Sequence, residues 1–228
     1  MLSLAAPAVL PPLHAEPLTV SRETLDRLRA YAALLEKWTV TINLVGAADR
    51  GHIWSRHVQD SLRLLPLIPA GTARGIDLGS GAGLPGLVLA IATGIPFDLV
   101  ESDRRKAIFL QEAARITAAP VQVHAVRIES LSPAMVPSAV MSAGALTPAA
   151  LVTARALAPL DALLGYAAPL LAHGGTALFP KGANAAAELD KARRSWDMQV
   201  EEHASPGQPG VILAITNLRR IKAGSAHE

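Results

Sequence analysis

Between Gly75 and Gly86 the chain reads Gly-Ile-Asp-Leu-Gly-Ser-Gly-Ala-Gly-Leu-Pro-Gly. A short apolar run enters this stretch and the apolar segment Leu87–Ala92 leaves it, which is the pattern of a strand, a tight turn and a helix. Gly79, Gly81 and Gly83 permit positive φ and let a ligand approach the main chain with no Cβ in the way. Pro85 suits the first turn of the helix, where a missing N–H costs little. Such a loop at a helix N-terminus suits a nucleotide-type cofactor in a doubly wound α/β domain. The spacing Gly81-x-Gly83-x-x-Gly86 also satisfies the dinucleotide pattern, so the glycines alone leave a nicotinamide (NAD)-dependent oxidoreductase open. Asp77, two residues before Gly79 at the carboxyl end of the strand, favours a different cofactor. A carboxylate there repels a pyrophosphate but suits the ammonium and sulfonium of S-adenosylmethionine. Glu101 follows the run Phe97-Asp98-Leu99-Val100. Lying about 20 residues beyond the glycines, it is placed for ribose hydroxyls, which serves either cofactor.

The elements that must position these residues follow a regular rhythm. Strands are expected at Gly75–Leu78, Phe97–Glu101, Val121–Val126, Leu151–Arg155, Thr176–Phe179, Gln199–His203 and Val211–Asn217. Helices are expected between most of them, at Gly86–Thr93, Asp103–Thr117, Leu160–Leu171 and Ala185–Trp196. This alternation predicts an α/β fold with a largely parallel seven-stranded sheet and helices on both faces. The last two strands are joined by Ala204–Gly210, too short for a helical crossover, and so form an antiparallel hairpin. That is the Rossmann-like arrangement of class I S-adenosylmethionine-dependent methyltransferases. Upstream, Leu25, Leu28, Ala32, Leu35 and Trp38 fall on one face of a helix beginning after Ser21. Asp49 is expected to cap a second helix running through His52–Leu62. These two helices precede the first strand and form an N-terminal cap. Ser132–Ala150, rich in Ala, Pro and Ser, reads as a long loop or broken helix.

Length and composition fit one enzyme domain. The chain has 228 residues, half of them hydrophobic, no cysteine and a formal net charge of +2. A chain of this size buries a large core, and the missing cysteines exclude disulfide and thiolate chemistry and suit a reducing cytoplasm. Residues 1–20 read as a flexible extension: Pro7, Pro11, Pro12 and Pro17 break it, and without an early Lys or Arg it does not resemble a signal peptide. Residues 21–228 read as a single domain, with the cap over 21–70 and the core over 71–228. No long apolar stretch suits a bilayer, so no membrane association is expected. His52 and His57 are five apart and do not share a helical face, so no metal site is expected there.

A further set of motifs runs along the chain in a fixed order. It comprises Asn43-Leu44, Arg56-His57-x-x-Asp60-Ser61-Leu62, the glycine loop from Asp77, and Leu99-Val100-Glu101-Ser102 with Arg105-Lys106 and Phe109-Leu110. Arg127-Ile128-Glu129, Thr153-Ala154-Arg155-Ala156 and Pro180-Lys181-Gly182 complete it. The combination resembles the small-subunit ribosomal RNA guanine-N7 methyltransferases, also called the glucose-inhibited division protein B family. It departs from that family at Pro148-Ala149-Ala150, where an Asp usually opens the fourth strand, at Glu101, where Asp is common, and at Pro180.

The resemblance implies methyl transfer from S-adenosylmethionine to N7 of a guanine in the decoding-region loop of 16S rRNA, guanine 527 in the usual rRNA numbering. It places Gly79, Leu84, Ile128, Glu129 and Arg155 at the cofactor, beside Asp77, Gly81, Gly83 and Glu101. Arg56, Asp60 and Lys181 are positioning candidates, and Arg56, His57, Lys181, Arg104 and Arg105 are candidates for contact with RNA. With only +2 net charge, RNA must be held by local patches. Basic clusters at Arg104-Arg105-Lys106, Lys191-Arg193-Arg194 and Arg219-Arg220-Lys222 are expected to line one side with Arg56 and track phosphates. With no RNA-recognition module attached, a preformed RNA shape, the 30S subunit, is the expected partner of a monomeric enzyme. A methyltransferase acting on a small molecule or a protein is the alternative within the same fold.

Overall fold

Each strand of the core presents its residues alternately to two helical layers. The computed structural model describes residues 8–9, 19–133, 145–204 and 210–221. Seven strands form one sheet: β1 (Gly75–Leu78), β2 (Phe97–Val100), β3 (Val121–His124), β4 (Ala149–Ala154), β5 (Leu171–Lys181), β6 (Trp196–Ala204) and β7 (Val211–Arg220). Their spatial order is β6-β7-β5-β4-β1-β2-β3. The pairs among β1 to β5 are parallel, and β7 is antiparallel to both β5 and β6. The expected sheet and terminal hairpin are therefore present. The strand order reverses between β1 and β4, which opens a crevice at the carboxyl edge.

Ile76, Leu78, Val100, Val152, Ala154 and Phe179 pack on one face with α5 (Leu160–Ala167) and α6 (Ala185–Ala192). Phe97, Leu99, Leu151 and Leu178 pack on the other with α3 (Gly86–Thr93), α4 (Arg104–Thr117) and the cap. Asp77 lies between Ile76 and Leu78 and so faces this second layer. The helix expected to reach Trp196 ends at Ala192, because Trp196 opens β6 and buries its ring.

The cap is built on α1 (Arg22–Thr39), whose N-terminus is closed by Ser21 Oγ accepting from Thr24 N at 3.0 Å. Its inner face is Leu25, Leu28, Tyr31, Leu35 and Thr39; Ala32 and Trp38, expected on that face, are only partly buried. Arg27 caps the far end of α4 by donating to the carbonyls of Thr117 (2.6 Å) and Ala118 (3.0 Å). Tyr31 is fully buried and its hydroxyl donates to the Ala82 carbonyl at 2.7 Å, so the cap holds the glycine loop directly. Tyr31→Phe removes that donor from a dry site and is expected to cost about 1–3 kcal/mol, read as a lower urea midpoint at unchanged m-value.

The second cap helix differs from expectation. Ala47–His52 is a 3-10 turn, Trp54–Val58 a π-helical turn, and only α2 (Gln59–Leu62) is α-helical. Asp49 lies inside the first turn rather than capping it. The wider π turn carries His57 and Val58 inward, where both are buried. The extension expected over residues 1–20 falls mostly outside the described residues; within them, Ala8–Val9 pairs antiparallel with Thr19–Val20. The expected loop over Ser132–Ala150 is likewise mostly outside, with its flanks Ser132–Pro133 and Ala145–Leu146 paired in parallel. Among the described residues, no helix is long and apolar enough to cross a membrane.

Candidate active site

The loop after β1 is fixed by its own backbone. Ser80 N donates to the Val100 carbonyl at the end of β2 (3.0 Å), and Ser80 Oγ donates to the Asp77 carbonyl (3.0 Å). Leu84 N closes the turn back onto the Ser80 carbonyl at 3.1 Å. Gly79 adopts φ +62°, and a Cβ there would lie 2.5 Å from Leu157 Cδ1. Gly86 serves a different end, since a Cβ on it would stand 2.4 Å from Asp77 Cβ; it lets α3 pack directly on β1.

Two cavities open at the carboxyl edge of the sheet and share the wall Ala156–Leu157–Ala158. The first, of about 410 Å³, is lined by Gly79, Gly81, Glu101, Lys106, Ile128, Glu129 and Tyr166. Its size lies within the roughly 300–1,000 Å³ of small-molecule sites. Glu101 is buried, its two carboxylate oxygens accepting from Gly81 N and Asp103 N, both at 2.8 Å, which aims an oriented carboxylate at the cavity. Tyr166 Oη donates to Glu129 Oε1 at 2.9 Å. The Glu129 backbone amide, then that hydroxyl, hold its carboxyl below the usual range, so it is ionised at neutral pH.

The second cavity, of about 500 Å³, is lined by Asp49, Arg56, His57, Asp60, Arg63, Pro85, Arg155 and Lys181 among others. At its centre Arg155 Nη2 meets His57 Nδ1 at 2.5 Å. A guanidinium has no acceptor, so Nδ1 accepts and the ring proton sits on Nε2. Burial, then the Arg155 charge, push the His57 pKa below its ordinary value, with Asp49 opposing, so the ring is neutral at neutral pH. Arg155 Nη1 is buried without a partner. Every carboxylate lining this cavity lies near a cation: Asp49 3.6 Å from Arg56, Asp60 3.4 Å from Arg63, and Glu188 2.7 Å from Lys181. Lys181 Nζ also donates to the Ala158 carbonyl at 3.1 Å, bracing the shared wall. Burial alone raises the Glu188 carboxyl, yet Lys181 and the Leu160 amide bring it below the usual range.

Of the residues expected at a cofactor, Gly79, Gly81, Glu101, Ile128 and Glu129 meet in the smaller cavity. Four do not line it. Leu84 is buried in the core, and Gly83 packs against Leu87 and Leu110. Asp77, expected to meet the ammonium and sulfonium directly, is fully buried beneath α3, its Oδ1 accepting from Thr153 Oγ1 at 2.7 Å. Arg155 faces the larger cavity because the alternation of β4 carries Leu151, Thr153 and then Arg155 to the side of the cap, where it meets His57. Of the residues expected at RNA, Arg56, His57 and Lys181 line the larger cavity with Asp60, whereas Arg104 and Arg105 line neither. Arg56 pairs with Asp49 and Asp60 with Arg63, so the one-turn Arg56–Asp60 pair does not form. The clusters around Arg193 and Arg219 stand at the opposite edge of the sheet, because β7 runs antiparallel: Arg219 and Arg220 sit opposite Asp197 and Trp196. Lys106, Leu157 and Tyr166 also line the smaller cavity, although no local motif marks them: Lys106 stands in the first turn of α4 and Tyr166 on α5, and the tertiary packing brings them together.

Residues 24–206 match the GidB family, described as rRNA small subunit methyltransferase G. The chain belongs to this family. It is 53% identical over 201 residues to the ribosomal RNA small subunit methyltransferase G of Rhodospirillum centenum, covering 87% of each chain. It is also 53% identical over 210 residues to the protein of that name from Acidiphilium cryptum, covering 88% of each. Solved structures share the fold at much lower identity. Ribosomal protein L11 methylase from Lactobacillus delbrueckii subsp. bulgaricus has a TM-score of 0.51 at 15% identity, over 71% of this chain and 78% of that one. Cofactor-bound Rv0187 from MTB has a TM-score of 0.52 at 18% identity, over 83% and 89%. GidB family membership makes the protein a methyltransferase and removes the NAD-dependent oxidoreductase reading that Gly81-x-Gly83-x-x-Gly86 had left open.

Proposed function

We propose that the protein transfers a methyl group from S-adenosylmethionine to N7 of a guanine in the decoding-region loop of 16S rRNA, acting as a monomer on the 30S subunit in the cytoplasm. The observation that carries this reading is the pair of cavities with the common lining Ala156–Leu157–Ala158, which sets a cofactor-sized site and a second site next to each other at the carboxyl edge. The smaller cavity fits the cofactor. Gly81 opens onto it with no side-chain neighbour within 4 Å of a would-be Cβ, the Glu101 carboxylate suits ribose hydroxyls, and Ile128 and Glu129 suit an adenine edge. When bound, the cofactor supplies an electrophilic methyl on a sulfonium.

The larger cavity supports N7 as the acceptor. Guanine N7 has a free lone pair and no proton to lose, and the cavity offers no free base: its imidazole lone pair receives Arg155, and its carboxylates are engaged by cations. The chain's part is to hold the base near the methyl and aligned with the departing sulfur. As the transfer proceeds the ring gains positive charge, so cations at N7 oppose it; the ion pairing of Arg56, Arg63 and Lys181 fits their use away from N7.

The test is transfer of labelled methyl from S-adenosylmethionine to 30S subunits from a strain lacking the modification, with the labelled nucleoside identified. The expected product is 7-methylguanosine in 16S rRNA. Label in a different nucleoside refutes the N7 assignment, and transfer that survives ribonuclease treatment of the substrate refutes RNA as acceptor.

A further inference from the structure

Arg63 is buried at 7% exposure, yet among the described residues its Nε and Nη2 have no hydrogen-bond partner. Only Nη1 is engaged, 3.4 Å from Asp60 Oδ1. The two unpaired nitrogens are neighbours on one edge of the guanidinium, and their N–H bonds run parallel. That edge matches two oxygens of one phosphate or carboxylate. Two buried charged donors without an acceptor are costly to keep, so the empty fork asks for a ligand.

Arg63 stands between two cavities. With Ile212 it lines both the cleft that holds His57 and Arg155 and an outer cavity of about 350 Å³, which continues along the carboxyl edge past Pro66, Leu67 and His203. Three cavities thus form a row. The first shares Ala156–Ala158 with the second, and the second shares Arg63 and Ile212 with the third. Glu202 on the outer wall is solvent-exposed, so its charge is screened, but it disfavours a second anion beyond Arg63.

We propose that Arg63 binds one backbone phosphate of the RNA beside the methylated nucleotide, with the outer cavity receiving the flanking nucleotide. This rests on the reading of the protein as an rRNA methyltransferase. A base inserted in the middle cavity carries its own phosphates to the rim, and among the described residues Arg63 and Ile212 alone line both it and the third cavity, Arg63 being the cation. The fork fixes the position of the strand; it does not read sequence.

Binding of the wild type, Arg63→Met and Arg63→Lys to unmodified 30S subunits is measured between about 50 and 200 mM KCl, together with affinity for S-adenosylmethionine. Arg63→Met is expected to weaken 30S binding about tenfold at the lowest salt. It makes the slope of log K against log salt shallower by about 0.7–0.9, the loss of one phosphate contact. Cofactor affinity stays at the wild-type value. Arg63→Lys keeps the slope but loses part of the affinity, because an ammonium supplies charge without the fork. The slope belongs to the binding reaction and does not depend on the fraction of molecules folded. An Arg63→Met slope equal to the wild type's overturns the proposal; if that variant does not fold, wild-type affinity in Arg63→Lys overturns it. Failure of the wild type itself to methylate the subunits overturns the underlying reading and this proposal with it.

Discussion

Gly79→Asp is expected to abolish S-adenosylmethionine binding and methyl transfer, with the affinity falling below detection in titration calorimetry. Three effects act together. The φ of +62° is left-handed and costs an L-residue about 1–2 kcal/mol. A Cβ would stand 2.5 Å from Leu157 Cδ1, pushing the wall shared by the two cavities. The new carboxylate would join Glu101 at the cavity and crowd the place proposed for the cofactor. Gly79→Ala isolates the first two effects and is expected to bind more weakly than the wild type but measurably. Unchanged affinity in Gly79→Asp would refute the placement of the cofactor beside this loop.

The fold was largely legible because two periodicities coexist in the chain. Ile76 and Leu78 are apolar while Asp77 between them is not, and the structure sends them to opposite faces of β1. The short Ala204–Gly210 link forced the last two strands into a hairpin, as they are. The cap was harder to read. Nothing in Asp49–Leu62 announces a switch from 3-10 to π to α turns, because that switch is imposed by packing His57 and Val58 beneath Arg155 and α1 rather than by local propensity.

The candidate site divides along the same line. Residues on the glycine loop and at strand ends, such as Gly79, Glu101 and Glu129, were legible because a βα topology sends every strand end to one edge. Residues whose role depends on which side of a loop they face were not. Arg155 and Gly79 approach the same Ala156–Ala158 wall from opposite cavities, and the larger of these exists only because the cap packs His57 against Arg155. The basic clusters near Arg193 and Arg219 were expected beside Arg56. Composition showed their charge, but the strand direction that carries them to the far edge lies in pairing, not in sequence.

Asp77→Asn is expected to make the cofactor-free protein more stable at pH 8, by up to about 3 kcal/mol. Burial raises the Asp77 pKa from 3.8 to about 6, with the Thr153 hydroxyl opposing. The folded state therefore holds this proton more tightly than the unfolded chain does. Between pH 4 and 6 the unfolded chain binds fewer protons, so the stability Asp77 contributes is complete below about pH 4 and is lost as pH rises through 6. Asparagine keeps the shape, accepts from Thr153 and never ionises, so variant and wild type converge below about pH 4, separate between pH 4 and 6, and stay a constant amount apart above that. Urea unfolding of both proteins across pH 4–8, without cofactor, reads the difference directly. A cofactor bound as proposed would reverse the preference. Its ammonium and sulfonium draw the proton off the carboxyl, so wild-type affinity is expected to rise between about pH 5 and 7 while the variant's stays flat and weaker. With the cofactor bound as proposed, Asp77 would act from beneath the loop, through charge rather than contact, at a cost in folding stability at neutral pH. A variant less stable than the wild type at pH 8 would mean that the carboxylate makes a net stabilising contact in the free protein, and the account of Asp77 as a strained, cofactor-dedicated charge would fall.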